Sequence, residues 1–115
     1  MRHVIAAIDE LPPGQKRIVL VEGREVGLFN VQGRFYAVRN VCPHQGAPLC
    51  LGEIDGTMLP SNPQEYRWGR EGEILRCPWH GWEFDLRTGL SLCDARIRVK
   101  VYLVEVEGDQ LVLEI

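Results

Sequence analysis

The chain has 115 residues, of which 45% are hydrophobic and 25% are charged, and its formal net charge is −3. This length and composition predict one globular domain with a packed core and exclude a disordered chain. The weak negative charge excludes the basic surface of a nucleic-acid-binding domain. No apolar run near the N-terminus approaches the ~20 residues of a membrane span. We therefore expect a cytoplasmic protein that binds neither nucleic acid nor a membrane.

The first third of the chain predicts short strands separated by turns. Val4–Ile8 reads as a strand, and the unbroken apolar run in Arg17–Val21 predicts a strand that is covered on both faces. Glu25–Val31 and Arg34–Val38 flank Gln32-Gly33, which is the pattern of a hairpin.

The last third is also rich in strand signals. Trp82–Asp85 and Leu90–Cys93 predict a hairpin, and apolar residues alternate from Ile97 to Leu103 as in a half-buried strand. Because Leu103 and Val104 are adjacent apolar residues, we expect a bulge or bend there. Two final strands are predicted around the Gly108-Asp109 turn, at Val104–Glu107 and Leu111–Ile115.

The middle of the chain, from Cys42 to His80, carries many Gly and Pro residues and few strand signals. Long irregular stretches are uncommon in small β domains unless they have a function. The sequence as a whole therefore predicts an all-β sandwich or barrel with a functional irregular segment.

Two short stretches in this segment share their chemistry. Cys42-Pro43-His44-Gln45-Gly46 and Cys77-Pro78-Trp79-His80-Gly81 each combine a thiol, an imidazole, a stiffening proline and a permissive glycine. Thiolate and neutral imidazole are ligands of zinc and iron. The pattern predicts that both loops close on one metal group.

Two metal groups fit these four ligands. Two Cys and two His can hold one structural zinc, although such sites usually start with two cysteines two to four residues apart. The same ligands can hold a [2Fe–2S] cluster with the thiolates on one iron and the imidazoles on the other.

The residues around the ligands resemble the Rieske [2Fe–2S] family. CPHQGAPL and CPWHGWEFD are similar to the two cluster-binding boxes of that family almost residue for residue. The resemblance implies a single Rieske domain over residues 1–115, an antiparallel β-sandwich or barrel with a small cluster-binding subdomain at about 41–85. It also implies one cluster per chain, bound by Cys42, His44, Cys77 and His80.

One departure from the family is the 32 residues that separate His44 from Cys77. We place the surplus at Glu53–Glu73 and favour a solvated loop there. The alternative is that Tyr66 and Trp68 cover the cluster or shape a contact with a partner.

The resemblance also indicates the branch of the family. Respiratory members have two bridging cysteines where this chain has Ala47 and Trp79, and a sulfide-bonding serine where it has Trp82. We therefore expect no such disulfide, buried structural roles for Cys50 and Cys93, and a potential near the low end of the Rieske range, about −150 mV.

Histidine number excludes an oxygenase acting alone. Only His3 remains beside the two cluster histidines, and a mononuclear oxygenase iron needs two His and a carboxylate. We expect an electron carrier without a small-molecule substrate and without catalytic residues, monomeric, between a flavoprotein reductase and a terminal oxygenase. The alternatives are a small Rieske subunit of a nitrite-reductase-type oxidoreductase and a zinc-stapled interaction domain.

Two surfaces are candidates for docking a partner. The first is the rim of the two loops, with Gln45, Gly46, Pro48, Trp79 and Trp82. The second is the stripe Arg96, Arg98, Lys100, for which a solvated strand face is the favoured interpretation.

Overall fold

A computed structural model describes residues 1–43, 46–59, 67–79, 81–92, 94 and 96–115, with the backbone alone at 57–59 and 67–68. Nine strands account for most of this part of the chain. They are β1 (Arg2–Ala7), β2 (Lys16–Val21), β3 (Arg24–Val31), β4 (Arg34–Arg39), β5 (Glu53–Leu59), β6 (Arg67–Arg76), β7 (Glu83–Asp85), β8 (Val101–Glu107) and β9 (Gln110–Glu114). Within the same residues, the helices are the single 3₁₀ turns Ile8–Glu10 and Leu49–Leu51, and neither could cross a membrane.

The strands form two antiparallel sheets, which confirms the all-β fold class. Six strands pair in the order β1-β9-β8-β4-β3-β2, and three pair in the order β5-β6-β7. The larger sheet curls until its two edges approach each other. Nε2 of His3 on β1 lies 2.8 Å from a carboxylate oxygen of Glu22, the residue that directly follows β2. It is therefore close to a closed barrel.

Two apolar clusters fill this architecture. The loop-side core contains residues from both sheets and from the two Cys/His loops: Phe29, Val38, Cys42, Ala47, Leu49, Cys50, Leu75, Cys77, Phe84, Leu86 and Val99. The barrel core lies within the larger sheet: Ala6, Leu11, Val21, Val26, Leu28, Ala37, Leu111 and Leu113. The described residues of the predicted metal loops thus contribute to the first core and not to the second.

Strand β3 is covered on both faces, whereas β2, for which this was predicted, is covered only in part: Ile18 packs against the loop-side core and Val19 against the barrel core. Leu28 faces the barrel core while its neighbour Phe29 faces the loop-side core. On β2, by contrast, Leu20 is 71% exposed. The reason is position, because β2 is the last strand of its sheet and β3 lies inside it.

The predicted hairpin at Gln32-Gly33 is confirmed. Both residues adopt positive φ, 53° and 89°, and strands β3 and β4 pair in register up to Val31 and Arg34. Two successive positive φ values are those of a type I′ turn, which matches the twist of the flanking strands.

The predicted bulge at Leu103-Val104 is absent, since β8 pairs with β9 without a register shift. Leu103 and Val104 are adjacent apolar residues for a different reason. Val101 packs against the loop-side core, whereas Tyr102 and Val104 pack against the barrel core. Leu103 lies on the opposite face from Tyr102 and is 59% exposed, so β8 passes from one core to the other.

The preference for a solvated loop at Glu53–Glu73 is wrong for its described residues. Glu53–Leu59 and the chain from Arg67 onward are the paired strands β5 and β6. Charged residues and glycines together make up more than half of these two strands and hide the apolar alternation on which sequence reasoning depends. Tyr66 and the side chain of Trp68 lie outside the described residues.

The hairpin after the second loop forms as predicted, but its second arm is short. Strand β7 contains Glu83–Asp85, while Leu90 and Ser91 make only isolated bridges, Ser91 with Phe84 and Leu90 with Arg98. The predicted alternating strand from Ile97 likewise begins only at Val101.

Candidate metal centre

The first Cys/His loop leaves β4 and is closed by two backbone hydrogen bonds. The amide of Cys42 donates to the carbonyl of Ala47 at 2.8 Å, and the amide of Gly46 donates to the carbonyl of Cys42 at 2.8 Å. Gly46 has a φ of 75°, a region that glycine enters at little cost. The result is a tight loop that holds Cys42 1% exposed at its base.

The second loop repeats these bonds at the same spacing. The amide of Cys77 donates to the carbonyl of Trp82 at 2.8 Å, and the amide of Gly81 donates to the carbonyl of Cys77 at 3.1 Å. The φ of Gly81 is 70°. In both loops the bonds therefore join the cysteine to the residues four and five positions later, so the predicted relationship between the two stretches extends to their backbone.

This equivalence assigns each residue of one loop a counterpart in the other. It pairs Cys42 with Cys77, Gly46 with Gly81 and Ala47 with Trp82. By the same count the two histidines occupy neighbouring rather than identical positions of the sequence. His44 and His80 themselves lie outside the described residues.

Both loop cysteines are buried in the loop-side core. A cavity of about 370 Å³ opens beside Cys77, lined also by Leu51, Gly52, Glu53, Arg76, Pro78 and Gly81. Two thiols held by equivalent loops in one apolar cluster are a donor set suited to a soft metal group. Among the described residues, which leave out His44 and His80, no three His, Cys, Asp or Glu side chains are grouped to hold a metal ion.

Cys50 has a structural environment, as predicted. It is fully buried, and its thiol donates to the carbonyl of Val38 at 3.3 Å. Burial raises the pKa of this thiol to about 12, so it stays protonated and unreactive at neutral pH. Cys93 lies outside the described residues.

Arginines hold the small sheet together next to the second loop. Arg76, the last residue of β6, donates to Glu83 of β7 at 2.7 Å and to Asp55 of β5 at 3.3 Å. The hydrogen bond that Arg76 donates to Glu83 raises the pKa of Arg76. Cys77 therefore directly follows a residue that links all three strands of the smaller sheet.

A second arginine fixes the far side of β7. Arg70 pairs with Asp85, whose other carboxylate oxygen accepts the amides of Arg87 at 2.9 Å and Thr88 at 3.0 Å. Burial alone would raise the pKa of Asp85, but the Thr88 amide and Arg70 outweigh it and hold that pKa below its ordinary value. Arg70 itself has a φ of 56°. It is the first of four consecutive residues of β6 that lie opposite a single residue of β5, Gly56.

The described rim of the two loops is uncharged and largely apolar. Trp79 is 57% exposed and Leu51 is 58% exposed, and the other exposed members are Val41, Pro43, Gly46, Pro78 and Gly81. Of the predicted rim residues, Gly46 and Trp79 are exposed, Pro48 is half-buried, and Trp82 packs partly against the loop-side core. Gln45 lies outside the described residues.

Sequence reasoning missed Leu51 and Val41 as rim residues. Both are ordinary aliphatic residues with no pattern that marks them as exposed. The available signal was distance along the chain, since each lies within nine residues of Cys42.

The basic stripe is solvated, as favoured, but it does not lie on a strand, because β8 begins only at Val101. All three side chains are exposed, Arg96 pairs with Asp94 at 3.0 Å, and Lys100 lies 5.8 Å from the ring centroid of Tyr102. These neighbours are local, as in most surface charge pairs.

The chain is similar in sequence to known electron-transfer components. Residues 1–103 match the model of the Rieske [2Fe–2S] domain. The ferredoxin component of a naphthalene 1,2-dioxygenase system from Pseudomonas aeruginosa is 33% identical over 110 residues, which cover 95% of this chain and 90% of the relative.

Solved structures show the same similarity. The ferredoxin of carbazole 1,9a-dioxygenase from Nocardioides aromaticivorans IC177 superposes with a TM-score of 0.77 at 27% identity, covering 97% of this chain and 95% of that one. A putative NADH-dependent nitrite reductase small subunit from Mycobacterium tuberculosis superposes with a TM-score of 0.76 at 26% identity, covering 98% and 93%.

Proposed function

Because the chain belongs to the Rieske [2Fe–2S] domain family and is an electron carrier of the ferredoxin type with a Rieske cluster, we propose which residues hold that cluster and where its electron goes. Cys42 and Cys77 bind one iron, and His44 and His80 bind the other. The reduced chain then delivers its electron to the terminal oxygenase of a multicomponent system. A flavoprotein reductase supplies the electron.

The observation that supports this ligand set is the equivalence of the two loops. Each has a buried cysteine at its base and a positive-φ glycine that donates its amide to that cysteine's carbonyl. The amide bonds and the positive-φ glycines fix the loop backbones without regular secondary structure, so each loop can present its ligands from a rigid frame. When bound there, a Rieske cluster supplies a centre that accepts and gives up one electron.

The protein residues have three tasks in this transfer. The loop-side core excludes water from Cys42 and Cys77, which favours electron exchange over loss of the cluster. The two histidines provide neutral imidazole ligands, which raise the reduction potential above that of a four-cysteine cluster. Arg76 and its carboxylate partners keep the second loop in place.

The rim residues around the loops form the contact surface for the partner. Trp79 and Leu51 project apolar area, and the described members of the rim carry no charge. Burial of such area drives association without a need for long-range charge attraction. The contact should therefore depend little on ionic strength.

The relatives favour an oxygenase as the electron acceptor. The ferredoxin components named above belong to naphthalene and carbazole dioxygenase systems, and this chain matches both over nearly its whole length. In this role residues 1–115 act as a single domain with residues 41–85 as its cluster-binding part. The carrier is a cytoplasmic monomer that meets its partners one at a time.

A second candidate function is that of a small subunit in a nitrite-reductase-type enzyme. The superposition with the small-subunit structure favours it nearly as well as the superposition with the carbazole ferredoxin. The two functions differ in stoichiometry, because a subunit co-purifies with a large chain in fixed ratio and a carrier does not.

Stopped-flow mixing tests the carrier function. The chain is reduced photochemically by one electron and mixed with the oxidised oxygenase component of a naphthalene-type dioxygenase, while the visible spectrum reports reoxidation. The proposal expects reoxidation that saturates with oxygenase concentration and changes little between low and high salt. Absence of transfer to any dioxygenase component, with stable co-purification of a large reductase chain, would instead establish the subunit function.

A further inference from the structure

The Leu49–Leu51 turn lies between the two cysteine loops and contacts both of the strands that lead into them. It follows the first loop directly and packs on β4 and β6. Leu49 and Cys50 are fully buried in the same core as Cys42 and Cys77. A rigid element in this place can set the separation of the loops.

One side of the turn is attached to the strand that leads to the first loop. The amide of Cys50 donates to Oδ1 of Asn40 at 2.8 Å, and Asn40 is buried two residues before Cys42. The thiol of Cys50 packs so closely on Gly27 of β3 that a methyl group there would overlap it. The turn therefore has little freedom to move relative to the Cys42 loop.

Gly52, on the other side of the turn, touches the strand that leads to the second loop. A Cβ atom built on Gly52 would overlap the carbonyl oxygen of Arg76, which is the residue before Cys77. The backbone of Gly52 is extended, with a φ of −72° and a ψ of 177°, so any residue could adopt it. Space and not conformation is thus what requires glycine here.

A lysine from the larger sheet holds this contact from outside. Nζ of Lys16 on β2 donates to the carbonyl of Gly52 at 2.9 Å. The bond joins the larger sheet to the position where the turn meets the smaller sheet. It is partly buried, which makes it stronger than a bond fully in water.

We propose that Gly52 is a positioning residue for the cluster, and that its missing side chain sets how closely the Cys77 loop approaches the Cys42 loop. Lys16 holds Gly52 against β6 in this role. The inference rests on the proposed ligands Cys42 and Cys77. It predicts that residues without any contact to iron control both cluster retention and cluster geometry.

The test compares Gly52→Ala with Gly108→Ala in the full chain with its cluster. Gly108 lies in the β8–β9 turn with a φ of 62° and open space around it, so its change to alanine strains the backbone without touching the loops. We expect Gly52→Ala to lower the iron content per soluble chain by about tenfold. The remaining cluster should show shifted g values in the EPR spectrum of the reduced protein.

Two results would overturn the inference. One is a Gly52→Ala protein with the iron content and g values of the unchanged chain. The other is an equal loss in Gly108→Ala, which would assign the effect to general destabilisation. If the chain without any substitution is purified and contains no iron, the proposed function is refuted. That failure is distinguishable from the failure of this inference, which shows only in the comparison of the variants.

A second variant decides the matter if Gly52→Ala does not accumulate in soluble form. Lys16→Gln removes the bond to the Gly52 carbonyl from an exposed side chain, and Lys100→Gln changes the chain's other lysine as a matched control. We expect Lys16→Gln to release iron to a chelator about fivefold faster, the size expected for one lost hydrogen bond. Equal release rates in both variants and in the unchanged chain would overturn the inference.

Discussion

The guanidinium of Arg76 donates a 2.7 Å hydrogen bond to the carboxylate of Glu83, and the two residues are also backbone neighbours on β6 and β7. Arg76 directly precedes Cys77, and Glu83 directly follows Trp82, whose carbonyl accepts the amide of Cys77. The pair therefore closes the base of the second loop from both ends. Substitution of Arg76 or Glu83 should therefore affect the cluster through the backbone of the second loop.

Arg76→Met should weaken the cluster-binding sheet. The variant keeps the aliphatic stem but leaves Glu83 and Asp55 without their shared cation. We expect a loss of about 1–2 kcal/mol in the free energy of unfolding, because charge-assisted pairs in a network exceed isolated surface pairs. Thermal unfolding followed by the visible absorbance of the cluster measures it. Arg24→Met, an exposed change on β3, is the control, and equal losses in both would contradict the role of Arg76.

Cys50→Ala should retain the cluster, whereas Cys42→Ser and Cys77→Ser should lose it. The Cys50 thiol is protonated, buried and bonded to the Val38 carbonyl, so its removal costs this hydrogen bond and some packing, about 1–2 kcal/mol, but takes no ligand from the cluster. Iron and sulfide analysis of the three purified variants measures the difference. A cluster-free Cys50→Ala protein that remains folded would contradict the ligand assignment.

The fold class and the relationship between the two cysteine loops could be predicted from the sequence because they depend on local patterns. Cys42, Cys77 and their glycines are recognisable from residue type and spacing, and alternating apolar residues mark most strands. The fuller coverage of β3 than of β2 depends on strand order in the sheet, which single-strand patterns do not encode. The β5–β6 hairpin was missed because its stability comes from cross-strand pairing and from charge pairs such as Arg76 with Asp55.

Trp79→Ala should slow electron delivery to the oxygenase without changing the potential. Its side chain is 57% exposed on the rim, so its loss removes contact area but leaves the cluster ligands in place. We expect about a tenfold drop in the second-order rate constant, the effect of one interface aromatic worth ~1–2 kcal/mol. Leu103→Ala is the matched control, since Leu103 is 59% exposed on β8, which lies outside the rim. A slower rate in the control variant as well would argue against a specific rim contact.

Trp82→Ser should raise the midpoint potential. In respiratory members of the family a serine at this position donates a hydrogen bond to a cluster sulfide, which stabilises the reduced, more negative state. The unchanged chain should have a potential of about −150 mV, and the new bond should add roughly 50–100 mV if it is worth ~1–2 kcal/mol. Redox titration under argon measures both values. A midpoint potential above zero in the chain without the substitution would contradict its assignment to the low-potential branch of the family.

Asp85→Asn should reduce the acid sensitivity of the protein. The folded state holds the pKa of Asp85 below its ordinary value despite burial, through the Thr88 amide and Arg70. Because the ionised form is favoured by folding, its contribution is present above about pH 4, the ordinary value, and is lost as pH falls through the lower folded pKa. Urea denaturation from pH 6 to pH 3 should show a shallower decline in the variant. Asp109→Asn, an exposed change in the β8–β9 turn, is the control, and a decline as shallow as that of Asp85→Asn would contradict the role of Asp85.

The central claim is that Cys42, His44, Cys77 and His80 hold one redox-active cluster, and metal analysis combined with EPR tests it most directly. The purified chain should contain two irons and two inorganic sulfides, and reduction by one electron should produce a paramagnetic signal with two nitrogen ligands visible in electron–nuclear double resonance. His44→Cys or His80→Cys should remove one of these nitrogens. A colourless, EPR-silent protein with one zinc per chain would contradict the account.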